Sequence, residues 1–135
     1  VEDLARWLGA QLDTDAEKAR AACWDEQSDV WTARPPQASY ERYTVVDYCD
    51  DGVVVVTPEN ADADGVGQHV AEWDPARVLR EIDAKRRIIA EHALNGWVCT
   101  TCDNGEVEQV FPCPTLRLLA VVYADREGYR EEWAP

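Results

Sequence analysis

Leu4, Leu8, Leu12, Ala16, Ala19 and Cys23 recur every three or four residues, with Trp7 beside them, which predicts an amphipathic helix over residues 2–22. Glu2 and Asp3 sit in its first turn, where acids suit the helix dipole. From Asp25 to Ser39 the pattern is irregular, and Arg34-Pro35-Pro36 breaks any helix. Two runs rich in β-branched and aromatic residues follow, Tyr40–Tyr48 and Val53–Thr57, which read as strands. They flank Asp50-Asp51-Gly52, a turn signal in which Asp-Gly is expected to supply the positive φ angles of a tight hairpin. Val30–Ala33 is the expected third strand of the meander.

The second half of the chain reads as helical. Residues 58–67 form a polar loop and 66–73 a short helix. Asp74-Pro75 then starts the clearest helix, with Asp as N-cap and Pro at the first helical position. Its apolar stripe is Val78, Leu79, Ile82, Ile89 and Ala93, and Asn95-Gly96 supplies its stop. Cys113-Pro114 opens a last helix in the same way, with Leu116, Leu119, Ala120 and Tyr123 on one side. Residues 125–133 form a short terminal helix or turn that docks Tyr129 and Trp133. The expected fold class is therefore α+β. A single domain over 1–135 would comprise an N-terminal helix (1–24), a β-hairpin region (30–58), a central helical region (66–94), a knuckle (95–113) and a C-terminal helix (114–133).

Cysteines change this picture most. His92 falls in the last turn of the central helix, Cys99-Thr100-Thr101-Cys102 follows the Gly96 stop, and Cys113 opens the final helix. Zinc takes four soft or borderline donors in a tetrahedron, and a C-x-x-C turn delivers two thiolates to one point. The expected site is a structural Zn2+ held by His92, Cys99, Cys102 and Cys113, pinning helix to helix. His69 is the alternative nitrogen donor. Four protein donors close the coordination sphere, which makes such a site structural and not hydrolytic. A redox pair or disulfide remains the competing reading, although thioredoxin-type motifs open a helix after a buried strand. Free thiols are the other. Cys23 and Cys49 lie on apolar faces and read as core residues.

The charge is strongly acidic, −14 in all. Residues 1–67 carry 15 acids against 5 bases, and residues 68–135 carry 12 against 8. Such a field repels phosphates, so no direct nucleic-acid binding is expected. Arg77, Arg80, Lys85, Arg86 and Arg87 form one basic stretch, read as pairing with local acids and with the acidic N-terminal half; the alternative is a contact face for an acidic partner. No run approaches the roughly 18 apolar residues of a membrane span. No basic-then-apolar leader is read in these residues, and a cytoplasmic protein is the expectation.

Other motifs fail on inspection. Asn60, Asp62, Asp64 and Gly65 imitate the start of an EF-hand loop, but the twelfth position is Ala71 and the eighth Gly67. His92-Ala93-Leu94 and Pro112-Cys113-Pro114 do not make a zinc-deaminase signature. No Ser or Cys nucleophile has an evident His partner.

The segment from Trp73-Asp74-Pro75-Ala76-Arg77 through Ile88-Ile89 resembles the central helix of a family of uncharacterised actinobacterial proteins, found in streptomycetes and associated with phages and mobile elements. Cys113-Pro114-Thr115-Leu116-Arg117-Leu118-Leu119-Ala120, Tyr123-Ala124-Asp125 and Tyr129-Arg130-Glu131-Glu132-Trp133 resemble its C-terminal signature, and Asp3-Leu4-Ala5-Arg6-Trp7-Leu8 its opening helix. The resemblance implies a C-x-x-C ahead of the C-P-T-L-R element and a His at the end of the central helix, as here. Trp73 departs from it, standing where His is usual, and the β-region diverges. No activity comes with the family.

The functional expectation is a zinc-stabilised acidic interaction module, an adaptor or regulator without catalysis that binds another protein. Trp24, Trp31 or Trp133 are the candidates for exposed anchors, since Trp is favoured at interface hot spots, against the commoner placement of Trp in a core. The alternative is an acidic nucleic-acid mimic, such as a phage counter-defence factor blocking a host nucleic-acid-binding protein. An enzyme would require an open position on the metal.

Overall fold

The computed structural model describes residues 3–59, 61–103 and 112–135. The described residues form an α+β fold of four α-helices, a three-stranded antiparallel sheet and a two-stranded hairpin. The chain divides into two compact units, Val1–Asp15 with Glu81–Pro135, and Ala16–Arg80.

Helix α1 (Asp3–Ala21) follows the predicted stripe: Leu4, Leu8, Leu12 and Ala16 are essentially inaccessible. In the unit Ala16–Arg80 the sheet runs in the order β1 (Thr32–Arg34), β2 (Thr44–Val46), β3 (Gly52–Val55), each pair antiparallel. The strands are shorter than the apolar runs suggest, because Tyr48–Asp51 are drawn into a wide turn. Asp47 organises that turn. Its backbone N–H donates to Asp51 O at 2.9 Å, while its carboxylate accepts the amides of Cys49 and Asp51. The positive φ falls at Asp50 (60°), not at the expected Asp-Gly step; Gly52 already belongs to β3. Cys49 is consequently exposed on the turn, not in the core.

Helix α2 (Ala63–Glu72) begins three residues earlier than its apolar pattern suggests, because Asp62 caps it by accepting the Gly65 amide at 2.9 Å. The acids that mimic a calcium loop thus act in helix initiation, and Asp64 accepts the Tyr43 hydroxyl at 2.7 Å. A core of Tyr43, Val45, Val56 and Ala71 lies between α2 and the sheet. The central helical region is two helices, since α2 ends before Asp74 and α3 spans Pro75–Glu91. Asp74, 8% exposed, accepts the Arg77 amide at 2.9 Å as helix cap and the Trp31 amide at 3.1 Å.

In the other unit, α4 is Pro114–Val121, shorter than the expected span to 133, and the chain returns through turns to a 3-10 turn at Glu131–Trp133. Leu4, Cys99, Cys113, Leu116, Ala120 and Trp133 form its core. Trp133 is buried, its ring 5.4 Å from Trp7 and 5.9 Å from Tyr129, so it is no surface anchor. Arg126 closes the same core with a 2.6 Å ion pair to Asp15. Two of the basic stretch pair within this unit, Arg86 with Asp13 at 2.7 Å and Arg87 with Asp83 at 3.0 Å. Arg77 meets Glu72 at 3.7 Å in the Ala16–Arg80 unit.

Candidate metal centre

Each donor is placed by local chain geometry. His92 follows the last residue of α3, with its amide still bonded back to the carbonyls of Ile88 and Ile89 at 3.1 and 3.2 Å. The chain then reverses through a hairpin, where the Asn95-Gly96 pair predicts only a helix stop. Leu94–Asn95 (β4) pairs with Val98–Cys99 (β5) around Gly96, whose φ of 66° suits glycine. The Asn-Gly dipeptide was its available signal. Cys99 leaves the hairpin into a tight turn closed by Asp103 N–H donating to Cys99 O at 3.0 Å, and this turn carries Cys102. The Thr101 hydroxyl donates to Glu91 O, and the Thr100 amide to Ala93 O at 3.0 Å, tying the turn to the end of α3. Cys113 is the N-cap of α4 with Pro114 next to it; its side chain makes no capping bond, and the thiol is left to turn inward. The expected knuckle over 95–113 includes residues 104–111, which lie outside the described residues.

The four donors converge. Nδ1 of His92 lies 3.3 Å from Cys99 Sγ, 3.4 Å from Cys102 Sγ and 3.5 Å from Cys113 Sγ. All four donor atoms fall within 4.8 Å of one another, and they form a group that could hold a metal ion. One ring nitrogen has one lone pair or one N–H, so it can satisfy one thiol by hydrogen bonding but not three at once. Around a metal the same distances are natural. Zinc bonds of about 2.3 Å to sulfur and 2.0–2.1 Å to nitrogen give a tetrahedral edge of about 3.5 Å. All five cysteines are free, so no disulfide competes for these sulfurs. His69 is not in the cluster; it is exposed on α2 with its ring 6.2 Å from Trp73.

Burial is uneven and so is the thiol chemistry. Cys99 and Cys113 are fully buried, while His92 and Cys102 are half-buried. Burial works to raise the Cys99 thiol, but the Cys102 and Thr101 amides and the His92 ring outweigh it and bring the pKa down to about 7. Those amides are positioned to stabilise a thiolate, a sulfur charge poised for a cation. Cys102 is pushed up to about 11 by burial and by the Cys99 and Cys113 sulfurs beside it. Three sulfurs crowded together resist carrying three charges without a cation among them.

A family model spans residues 1–135. The chain belongs to the family of unknown function DUF6221. No curated protein and no solved structure matches it. The geometry of this family member therefore carries its own functional argument. Among its described residues no helix is long and apolar enough to cross a membrane.

Proposed function

We propose that this DUF6221 protein binds one Zn2+ structurally through His92 Nδ1 and the thiolates of Cys99, Cys102 and Cys113, and that it acts by binding another protein and not by catalysis. One observation carries the metal reading: three sulfurs stand 3.3–3.5 Å from a single imidazole nitrogen, an arrangement hydrogen bonding alone does not sustain. A donor set of three sulfurs and one nitrogen favours zinc over magnesium or calcium, which take oxygen. Four protein donors leave no coordination position for water or substrate, which supports a structural role. The metal would supply charge neutralisation, and the chain would use it to fasten the end of α3, the hairpin and the start of α4. Free thiols throughout support a reducing compartment such as the cytoplasm.

An adaptor or regulator fits the surface. Trp24 and Trp97 are 66% and 72% exposed, large aromatic areas of the kind that anchor interfaces. Several acids are committed to helix caps, turns and ion pairs, among them Asp13, Asp15, Asp47, Asp62 and Asp74, which weighs against a phosphate-like acidic array. Native mass spectrometry tests the metal directly. The expected mass includes one zinc per chain, lost on chelation and lost in Cys113→Ser. A metal-free protein whose hydrogen exchange is unmoved by chelator would refute the reading.

A further inference from the structure

Among the described residues, strand β3 lies at an edge of its sheet and pairs only with β2. Helix α2 packs chiefly across β1 and β2, leaving β3 overhanging. Val53, Val54 and Val55 are 37%, 42% and 46% exposed, whereas Val45, directly opposite Val54, is completely buried. Successive strand residues point to opposite faces, so three exposed valines in a row mean that both faces of β3 are open. Val56 N–H donates to Tyr43 O at 2.9 Å, and Val54 stands opposite Val45. Residues 54 and 56 therefore turn their backbone groups toward β2, and Val55 turns its N–H and C=O outward. Exposed edges are commonly blunted by Lys, Pro or a covering element. No Lys or Pro stands among Val53–Val55.

Near the start of this strand stands a fixed aromatic surface. Trp24 and Tyr48 stack at 6.3 Å with 15° between their planes, 66% and 47% exposed. Their polar ends are tied down, Trp24 Nε1 donating to Asp47 at 2.7 Å and the Tyr48 hydroxyl to Asp25 at 2.7 Å. A cavity of about 400 Å³ joins Cys23, Trp24 and Asp47 to Asp51, Gly52 and Val53 at the start of β3. A neighbouring hollow is lined by Asp25, Glu26 and Asp29 beside Arg20. Between Arg42 and Arg77 the chain carries eight acids and no Lys or Arg.

We propose that the free edge of β3, with the Trp24–Tyr48 stack beside it, takes up an extended segment of a partner protein in which apolar residues alternate with Lys or Arg. Backbone pairing at Val55 would supply affinity, the valines and aromatic faces would receive the apolar side chains, and the surrounding acids would select for cations. The proposal rests on the protein-binding reading above but not on the metal. A second copy is a poorer occupant. Antiparallel pairing of two β3 strands would set Asp50 and Asp51 of each copy toward the Glu59 end of the other, like charge against like.

The test uses the full chain and a capped peptide of about seven residues alternating valine and lysine. Binding is expected, with protection of the Val55 amide from hydrogen exchange, a change in tryptophan fluorescence and weakening as salt rises. Val55→Pro should weaken binding about tenfold by removing an outward donor. Val55→Lys and Val55→Glu leave the backbone intact and should shift affinity in opposite directions, down and up. Equal binding of a valine–glutamate peptide, or of the valine–lysine peptide N-methylated at alternate residues, overturns the proposal. So does self-association abolished by Val55→Pro, or absence of binding. Zinc content is read on the same samples. Failed peptide binding with one zinc retained sinks this inference alone, and peptide binding by a metal-free chain sinks the metal reading alone.

Discussion

Single carboxylates do much of the local work, and Asp47 is the clearest case. It is almost fully buried and accepts three N–H groups, from the Trp24 indole at 2.7 Å and from the amides of Cys49 and Asp51 at 2.9 and 3.1 Å. The indole lowers its pKa most, burial opposes, and the two amides add to the lowering. The folded pKa thus lies below the unfolded value of about 3.9, and the stabilisation is present above that value and lost as pH falls through the folded one. Asp47→Asn should lower Tm at neutral pH, with the gap to the parent closing on acidification below about pH 4. Thermal unfolding followed at several pH values checks this; a gap that stays constant would show that the charge is not what matters. Asp74 serves as a helix cap and as a tertiary acceptor. Asp74→Ala uncaps α3 and orphans the Trp31 amide, and should cost about 2 kcal/mol in urea unfolding, most of it recovered in Asp74→Asn. The capping role was legible as Asp-Pro; the bond to Trp31, 43 positions away in sequence, was not.

Among the elements, α2 shows how packing overrides propensity. A Cβ placed on Gly67 would meet Tyr43 Cε1 at 2.2 Å, so the helix approaches the sheet more closely than any side chain permits. Tyr43 cannot swing away freely, because its hydroxyl is bonded to Asp64. Gly67→Ala gains about 1 kcal/mol of helix propensity. It should nonetheless destabilise by a net 1–2 kcal/mol, roughly, through overpacking. A variant more stable in denaturant unfolding would contradict the close approach. Helix α1 was legible from apolar periodicity, and α3 and α4 because periodicity agrees with their Asp-Pro and Cys-Pro starts. The β4–β5 hairpin was not, since Leu94–Asn95 and Val98–Cys99 are too short for alternation to register.

At the scale of the molecule, all four metal donors belong to one of the two compact units. Removal of the metal should therefore be felt unevenly. Chelation is expected to raise hydrogen exchange at Cys99–Asp103 and along α4, while amides of β2 and α2 keep their protection. Structural zinc contributes about 10–16 kcal/mol of apparent binding energy in zinc-finger peptides. The larger core here, with Leu4, Leu116 and Trp133 buried beside the cysteines, should leave part of that unit folded after chelation. Exchange rising uniformly over the whole chain would show that the metal governs global unfolding instead. Metal uptake should also weaken at low pH, because thiols must release protons to bind; titration in buffers of different ionisation heat reads the proton count.

Periodicity, caps and donor spacing are local properties, written in residues a few positions apart. They were enough to place the helices, the β2–β3 hairpin and the four candidate donors. They could not say which nitrogen of His92 faces the sulfurs, or decide between the docked and the exposed reading of Trp133. Nor could they say that α2 covers two strands and leaves the third bare. Those outcomes depend on distances between segments far apart in the chain. Packing in three dimensions sets them, because burial and charge act through space, between side chains that the backbone alone does not bring together.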